Sequence, residues 1–389
     1  MFHLFSIMAT GLMLLSAPTI QSAETLKHTI GADAYVRRFS NNPGKKEEGF
    51  AQRIALKVDL EVDSKTKIKT QTILSGDQWN GDTAGQAVSG NSDNTAGGNP
   101  VRLDYGYIET VLPNQVVLRA GRTTANFSDC FNTCDDRRDR LLLMKSYGKF
   151  LPVVLFDKRA EGEFNNSEDD RDMYAAALFH LDPTHEWALL YATWVSKNEN
   201  DILKGVHNFS PYYKYRKGKL KALMVYNWLG QGTNQSIFYH HHHSYAIKVE
   251  YSLFGNLRFG AQAINSIDGG LIASGYDTYS FVVNNDPDHN RSNSKLVSLG
   301  GFGTLTGNQV DDEFFYVGRV SYDFNNQTTL NTTYGRAKEV VALKKSLMNI
   351  YDLQLAHKYT KNIDFKFASA WIRGDRNEVA SLFEMNAKF

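Results

Sequence analysis

From Ile54 the chain alternates: Ile54, Leu56, Val58, Leu60 and Val62 are apolar, while Lys57, Asp59 and Glu61 between them are charged. Successive side chains of an extended strand leave on opposite faces, so this stretch predicts a strand that is greasy on one side and wet on the other. Residues 63–66 form a turn, and Ile68, Thr70, Thr72 and Leu74 return opposite Lys67, Lys69 and Gln71, which predicts a hairpin. The same alternation recurs in Val101, Leu103, Tyr105 and Tyr107, and after a turn in Val116, Leu118 and Ala120. It returns in Trp187, Leu189, Tyr191, Thr193 and Val195, in Leu220, Ala222, Met224, Tyr226 and Trp228, and in Tyr245, Ile247, Val249, Tyr251 and Leu253. Ile363, Phe365, Phe367 and Trp371 repeat it, and the final strand sets Val379, Phe383, Met385, Ala387 and Phe389 against Glu384, Asn386 and Lys388. No run carries a helical period.

Connections alternate in length. Short turns are read at 63–66, 113–115, 148–149, 182–185, 216–219, 254–256, 325–327 and 360–362. Longer polar links fall between them, at 41–49, 81–100, 126–136, 161–170, 197–205, 231–242, 266–312 and 338–345. Short turns on one rim and long loops on the other, with every strand apolar on a single face, predict an all-β fold: a transmembrane antiparallel β-barrel with short periplasmic turns and long extracellular loops. Placing one strand between neighbouring links gives about 18 strands, with both termini at the short-turn rim. The count falls to about 16 if the weakly patterned stretches 140–147 and 150–158 fold into the lumen, and rises to about 20 if 276–283 pairs with 295–301.

Composition agrees once this pattern is seen. Mean hydropathy is −0.40, yet barrel strands escape a hydropathy scan because half of their residues face water. The chain holds 20 Tyr, 23 Phe and 8 Pro, which suits strands and aromatic belts at a lipid boundary. Residues 4–20 are largely apolar and small residues follow at Ser22 and Ala23, so 1–23 reads as a secretory signal peptide and 24–389 as one barrel domain. A formal net charge of +1 gives no sign of a nucleic-acid partner.

The terminal Phe389 resembles the closing residue of bacterial outer-membrane β-barrels, where it serves as an assembly signal. In size and layout the chain is similar to the 16- and 18-stranded bacterial outer-membrane porins. That resemblance implies a passive channel for small hydrophilic solutes in the outer membrane of a Gram-negative bacterium, without cofactor, resident metal or catalytic residues. It also implies outer-membrane lipid, the barrel assembly machinery and a homotrimer as partners. Leu118, Arg119, Ala120, Gly121 and Arg122 resemble the strand end that leads into the porins' third loop, which folds inward and narrows the channel. The matching segment here is 123–140, and a cysteine pair in it is unusual for the family.

The candidate constriction sets Asp135, Asp136 and Asp139 against a basic wall of Arg53, Lys57, Lys69, Arg102 and Arg119, chosen by strand parity. Opposed charges across a narrow wet pore make a transverse field that favours polar solutes. Cys130 and Cys134 suit a local disulfide in an exported protein, with metal ligation a weaker alternative. Residues 240–243 are all histidine, but neighbours on a strand diverge, so they read as a solvated loop and not as a metal site. The chain lacks a G-x-S-x-G elbow and an H-E-x-x-H helix, which leaves an outer-membrane hydrolase as the weakest reading, behind a substrate-specific channel and a receptor or adhesin.

Overall fold

The computed structural model describes residues 27–42, 47–78, 101–131, 133–160, 170–198, 201, 203–233, 241–267, 278–283, 296–297, 312–341 and 344–389. The expected signal peptide at 1–23 and the link at 81–100 lie outside these residues, as do most of 266–312 and His240. The strands are β1 (Lys27–Asn42), β2 (Glu47–Glu61), β3 (Thr66–Gln78), β4 (Arg102–Val111), β5 (Val117–Phe127) and β6 (Thr133–Met144). They continue as β7 (Phe150–Ala160), β8 (Arg171–His180), β9 (His185–Ser196), β10 (His207–Lys217), β11 (Leu220–Leu229) and β12 (His242–Phe254). The last six are β13 (Leu257–Ile267), β14 (Phe314–Asp323), β15 (Thr328–Val341), β16 (Lys344–Lys358), β17 (Ile363–Gly374) and β18 (Glu378–Lys388).

Each strand pairs antiparallel with the next, and β18 pairs with β1, so the 18-stranded sheet closes on itself. Closure leaves no edge strand, so the spanning backbone finds its hydrogen-bond partners within the wall, the condition for backbone to cross hydrocarbon. The stretches considered for folding into the lumen, 140–147 and 150–158, contribute wall strands β6 and β7. At 276–283 the only pairing among the described residues is an isolated parallel bridge between Val283 and Val297. The count of 18 therefore stands, and both 16 and 20 fall.

The outer face carries the predicted apolar parity. Ile54, Leu189, Met224, Ile247 and Phe367 are all exposed there. Two strands depart from the strict alternation. The β3–β4 ladder pairs Gln71 with Tyr105 but Thr72 with Leu103, so Asp104 is an extra residue, a β-bulge. A one-residue shift flips every later side chain, which moves Tyr105 and Tyr107 from the expected lipid face to the lumen face of Lys69 and Gln71. A second bulge leaves Leu74 extra between β2 and β3.

Some links are shorter than expected. Only 342–343 separates β15 from β16, and β12 begins at His242. The histidine run is thus not wholly a loop: His242 is fully buried on the inner parity, and the Nδ1 of His243 lies 2.6 Å from the Tyr226 hydroxyl. Among the described residues no cluster fit for a metal forms.

The lumen wall is not polar all round. On β13–β17, Ile264, Phe315, Met348, Ile350 and Ile372 have inner parity and are less than 2% exposed. They are covered by residues 278–283 of the long link, of which Phe281, Val282 and Val283 belong to the same cluster. Apolar residues on both faces are what an inward-packed segment requires, because burying them removes about 25 cal/mol per Å² from contact with water.

Candidate functional site

Two inward elements shape the lumen. The first is the hairpin of β5 and β6. β5 pairs with β4 only over 117–122 and β6 with β7 only over 139–144, while 123–127 and 133–138 pair with each other alone. The hairpin therefore leaves the wall. It departs next to Gly121, whose φ of 123° and whose position 2.6 Å from the Gly106 carbonyl oxygen, measured from where a Cβ would sit, admit only glycine. Its tip reaches the wall at β8–β10: the Phe127 ring is 5.1 Å from Tyr212 and 5.9 Å from Phe179, and the Asp129 carboxylate is 2.7 Å from Lys214.

The second element is the strap at 278–283. The Tyr279 N–H donates to Gln262 at 3.2 Å, its carbonyl accepts from Gln354 at 3.1 Å, and its hydroxyl donates to the Val249 carbonyl at 3.3 Å. The Arg319 guanidinium lies 3.8 Å from the centre of the Tyr279 ring and the Lys248 ammonium 5.1 Å from it, two cation–π contacts. Gly260 makes this docking fit, because a Cβ there would stand 2.8 Å from the ring.

Between these elements β2–β7 carry a ladder of charge. Arg53 lies 3.4 Å from Asp33 and 3.2 Å from Asp104, and Lys57 is 2.6 Å from Asp33. Lys69 is 3.9 Å from Asp59 on the open face. Arg119 lies 2.5 Å from Glu109 and over the Tyr107 ring. Arg102 takes its place opposite Ile73 on the inner parity, beside Gly76. Asp136 sits among Arg138, Arg140 and Arg159 at 3.1, 3.1 and 2.9 Å. Asp157, fully buried, holds Arg140 at 2.5 Å and Arg159 at 3.4 Å.

The arrangement of these charges differs from the expectation of an acidic loop facing a basic wall. Asp136 pairs with arginines of its own strand and of β7, while the hairpin's Arg137 reaches across to Asp104 on β4 at 2.5 Å. Asp139 has the parity of the exposed Leu141 and Leu143, so it lies on the outer side and does not join the cluster. Asp135 is within β6, with its side chain outside the described residues. Cys130 is disulfide-bonded at the hairpin tip, and the Cys134 side chain is not among those described. Sequence reasoning missed Asp104, Asp157 and Arg159. Only the even spacing from Arg102 marked Asp104 beforehand, and the bulge at this position has no sequence signature. The guanidinium atoms Arg140 Nη1 and Arg159 Nε are buried without a hydrogen-bond acceptor, so the cluster has donor capacity to spare.

Near the long-loop rim, Arg376 bridges Glu339 and Glu378. Burial opposes the Arg376 charge, but these carboxylates outweigh burial and raise its pKa. At the other rim, the Lys149 ammonium and the backbone N–H groups of Thr184 and His185 hold the Asp182 carboxyl well below the usual range, fixing the β8–β9 turn. Phe389 forms the seam: its N–H donates to the Ala32 carbonyl at 2.9 Å, and its own carbonyl accepts from Ala32 at 3.1 Å.

No protein-family model matches the sequence, and no curated protein matches it. Solved structures do match. OccK9 (OpdG) of Pseudomonas aeruginosa is similar with a TM-score of 0.62 at 14% identity, covering 93% of this chain and 98% of that one. A BenF-like porin from Pseudomonas fluorescens gives 0.61 at 12% identity, with 93% and 98% covered. Pseudomonas aeruginosa OpdK with vanillate gives 0.59 at 11% identity, with 92% and 98% covered. The likeness is one of fold, a closed barrel carried along nearly the whole of each chain.

Proposed function

We propose that this protein is an outer-membrane porin of a Gram-negative bacterium, a water-filled channel through which small hydrophilic solutes diffuse down their gradients. The observation that carries the proposal is a closed 18-stranded wall, apolar outside, whose inner face carries a ladder of charge on one side and a hairpin and a strap packed against it. A barrel of this size encloses more room than side chains of its wall fill. Selection then follows from width and from field: the strap and hairpin limit cross-section, and the ion-paired ladder favours hydrated, polar solutes over apolar ones. Nothing in this mechanism needs a bond to be made or broken.

A second, finer reading concerns solute class. Among the described residues Arg53, Arg137, Arg138, Arg140 and Arg159 gather around Asp104, Asp136 and Asp157, and Arg53 also reaches Asp33. Guanidinium groups recognise carboxylates bidentately, and OpdK is a fold relative with vanillate, an aromatic carboxylate. Small organic carboxylates are therefore the preferred solutes in this reading.

Liposome swelling tests both. Vesicles holding the purified protein should swell in isotonic small sugars and amino acids, and faster in a monocarboxylate than in a neutral solute of equal size. Vesicles that stay unswollen contradict the channel. Equal rates for acid and neutral solute remove only the finer reading. Release of product from lipid or peptide substrates in the same preparation would instead favour a hydrolase.

A further inference from the structure

The outer face of β14–β17 carries ordered rows at the long-loop rim. Tyr334, Tyr351 and Trp371 pair across three adjacent strands, and the Tyr334 and Tyr351 rings are 5.0 Å apart. Two residues nearer the rim, Arg336, Asn349 and Arg373 form the next row in the same register. Lys338, opposite Leu347, follows. Toward the short-turn rim the same faces show Leu353 and Phe367, then Tyr322, Phe324 and Tyr359, all exposed. On β15–β17 the sequence of rows is thus aromatic, apolar, aromatic, cationic, while on β14 Tyr316 and Phe314 stand opposite Arg336 and Lys338 and flank the cations with aromatic surface. Aromatic rings mark the two boundaries of a hydrocarbon layer, so the cationic row stands at headgroup level.

These cations are not spent on the protein. No carboxylate among the described residues lies within ion-pair distance of Arg336, Lys338 or Arg373. The acids of this rim are engaged elsewhere: Glu339 and Glu378 hold Arg376 on the inner side, and Asp375 accepts the Leu347 backbone N–H at 2.7 Å. This contrasts with the ladder inside, where nearly every arginine has a carboxylate.

We propose that Arg336, Lys338 and Arg373 form a docking site for a phosphorylated lipid of the outer leaflet, with the acyl chains lying over Tyr334, Tyr351 and Trp371. Arginine forks suit phosphate oxygens, and three cations in neighbouring rows suit a headgroup with more than one phosphate. A second copy of the same face is disfavoured as the occupant, because it would oppose like charges. The proposal rests on the outer-membrane reading above, since it requires lipid against this face.

Native mass spectrometry of the full-length protein, mixed with lipid A bearing two phosphates or with its dephosphorylated form, tests it. The protein should retain the phosphorylated lipid at least about tenfold better, as charge-assisted contacts to two phosphates imply. Arg336→Gln, Lys338→Gln and Arg373→Gln together should abolish the preference and leave single-channel conductance unchanged. If the triple variant does not fold, the comparison of the two lipids on the unaltered protein still decides. Equal retention of both lipids overturns the proposal, as does a triple variant that keeps the preference. Displacement of the lipid by inorganic phosphate alone would make the patch a free-anion site, and dimers lost in the variant would make it a contact between copies. Conductance of the unaltered protein, recorded alongside, separates these failures from failure of the pore reading.

Discussion

At the scale of the residue, function rests on where individual charges are aimed. Asp104 is the clearest case, an inward carboxylate at a bulge, set between Arg53 of the wall and Arg137 of the hairpin. Asp104→Asn removes one negative charge and leaves both guanidiniums, so ion preference should move toward anions. A unit charge about 8 Å from the ion path in water is worth about 0.5 kcal/mol, or about twofold in permeability ratio. Reversal potentials across a potassium chloride gradient measure this. The buried Arg140–Asp157 pair plays a different part, because it ties the departing hairpin to β7. Asp157→Asn leaves Arg140 and Arg159 to share Asp136, and removal of one partner of a buried pair costs up to about 3–5 kcal/mol. The midpoint of urea unfolding in detergent should fall accordingly, and an unchanged midpoint would mean that water already screens the pair. The basic wall residues Arg53, Lys57 and Lys69 were legible because parity alone fixes their side. Asp139 was not, because the hairpin begins to leave the wall beside it and the expectation treated 123–140 as a single inward loop.

At the scale of the element, the proposed channel has its width set by the hairpin and the strap. Strand alternation revealed the wall because period two is imposed by the backbone. It said little about the strap, since a short apolar stretch such as Phe281, Val282 and Val283 has no period of its own and owes its place to Ile264, Phe315 and Met348. Those inner-face apolar residues were the available signal: Met348, Ile350 and Leu353 sit on both parities of one strand, which a purely water-lined wall does not need. Tyr279→Ala deletes the ring held by Arg319 and Lys248 and should loosen the strap, raising single-channel conductance with no loss of folded barrel. A conductance equal to that of the unaltered protein would place the strap off the conducting path. The closing strand carries a further expectation. Phe389→Ser should lower the yield of folded protein in the outer membrane of an expression host, while protein refolded in detergent should conduct normally. Normal yield in the host would remove Phe389 from any part in assembly.

At the scale of the whole molecule, the two faces of one closed sheet divide the labour. The outside is apolar between aromatic rows, as hydrocarbon without hydrogen-bonding partners requires, and the proposed channel accounts for the charge inside. Alternating connection lengths made the strand number readable, and the seam between β1 and β18 followed from both termini lying at the short-turn rim. What could not be read was the division of the inner face, apolar where the strap packs on β13–β17 and charged along β2–β7. That division depends on contacts between β13–β17 and a segment joined to them only through the long link, which strand parity does not encode. The measurement that tests the account most directly is the current through the purified full-length protein in a planar lipid bilayer. Stepwise, ohmic increments of uniform size are the predicted result, while a bilayer that remains silent with folded, heat-modifiable protein inserted would contradict it.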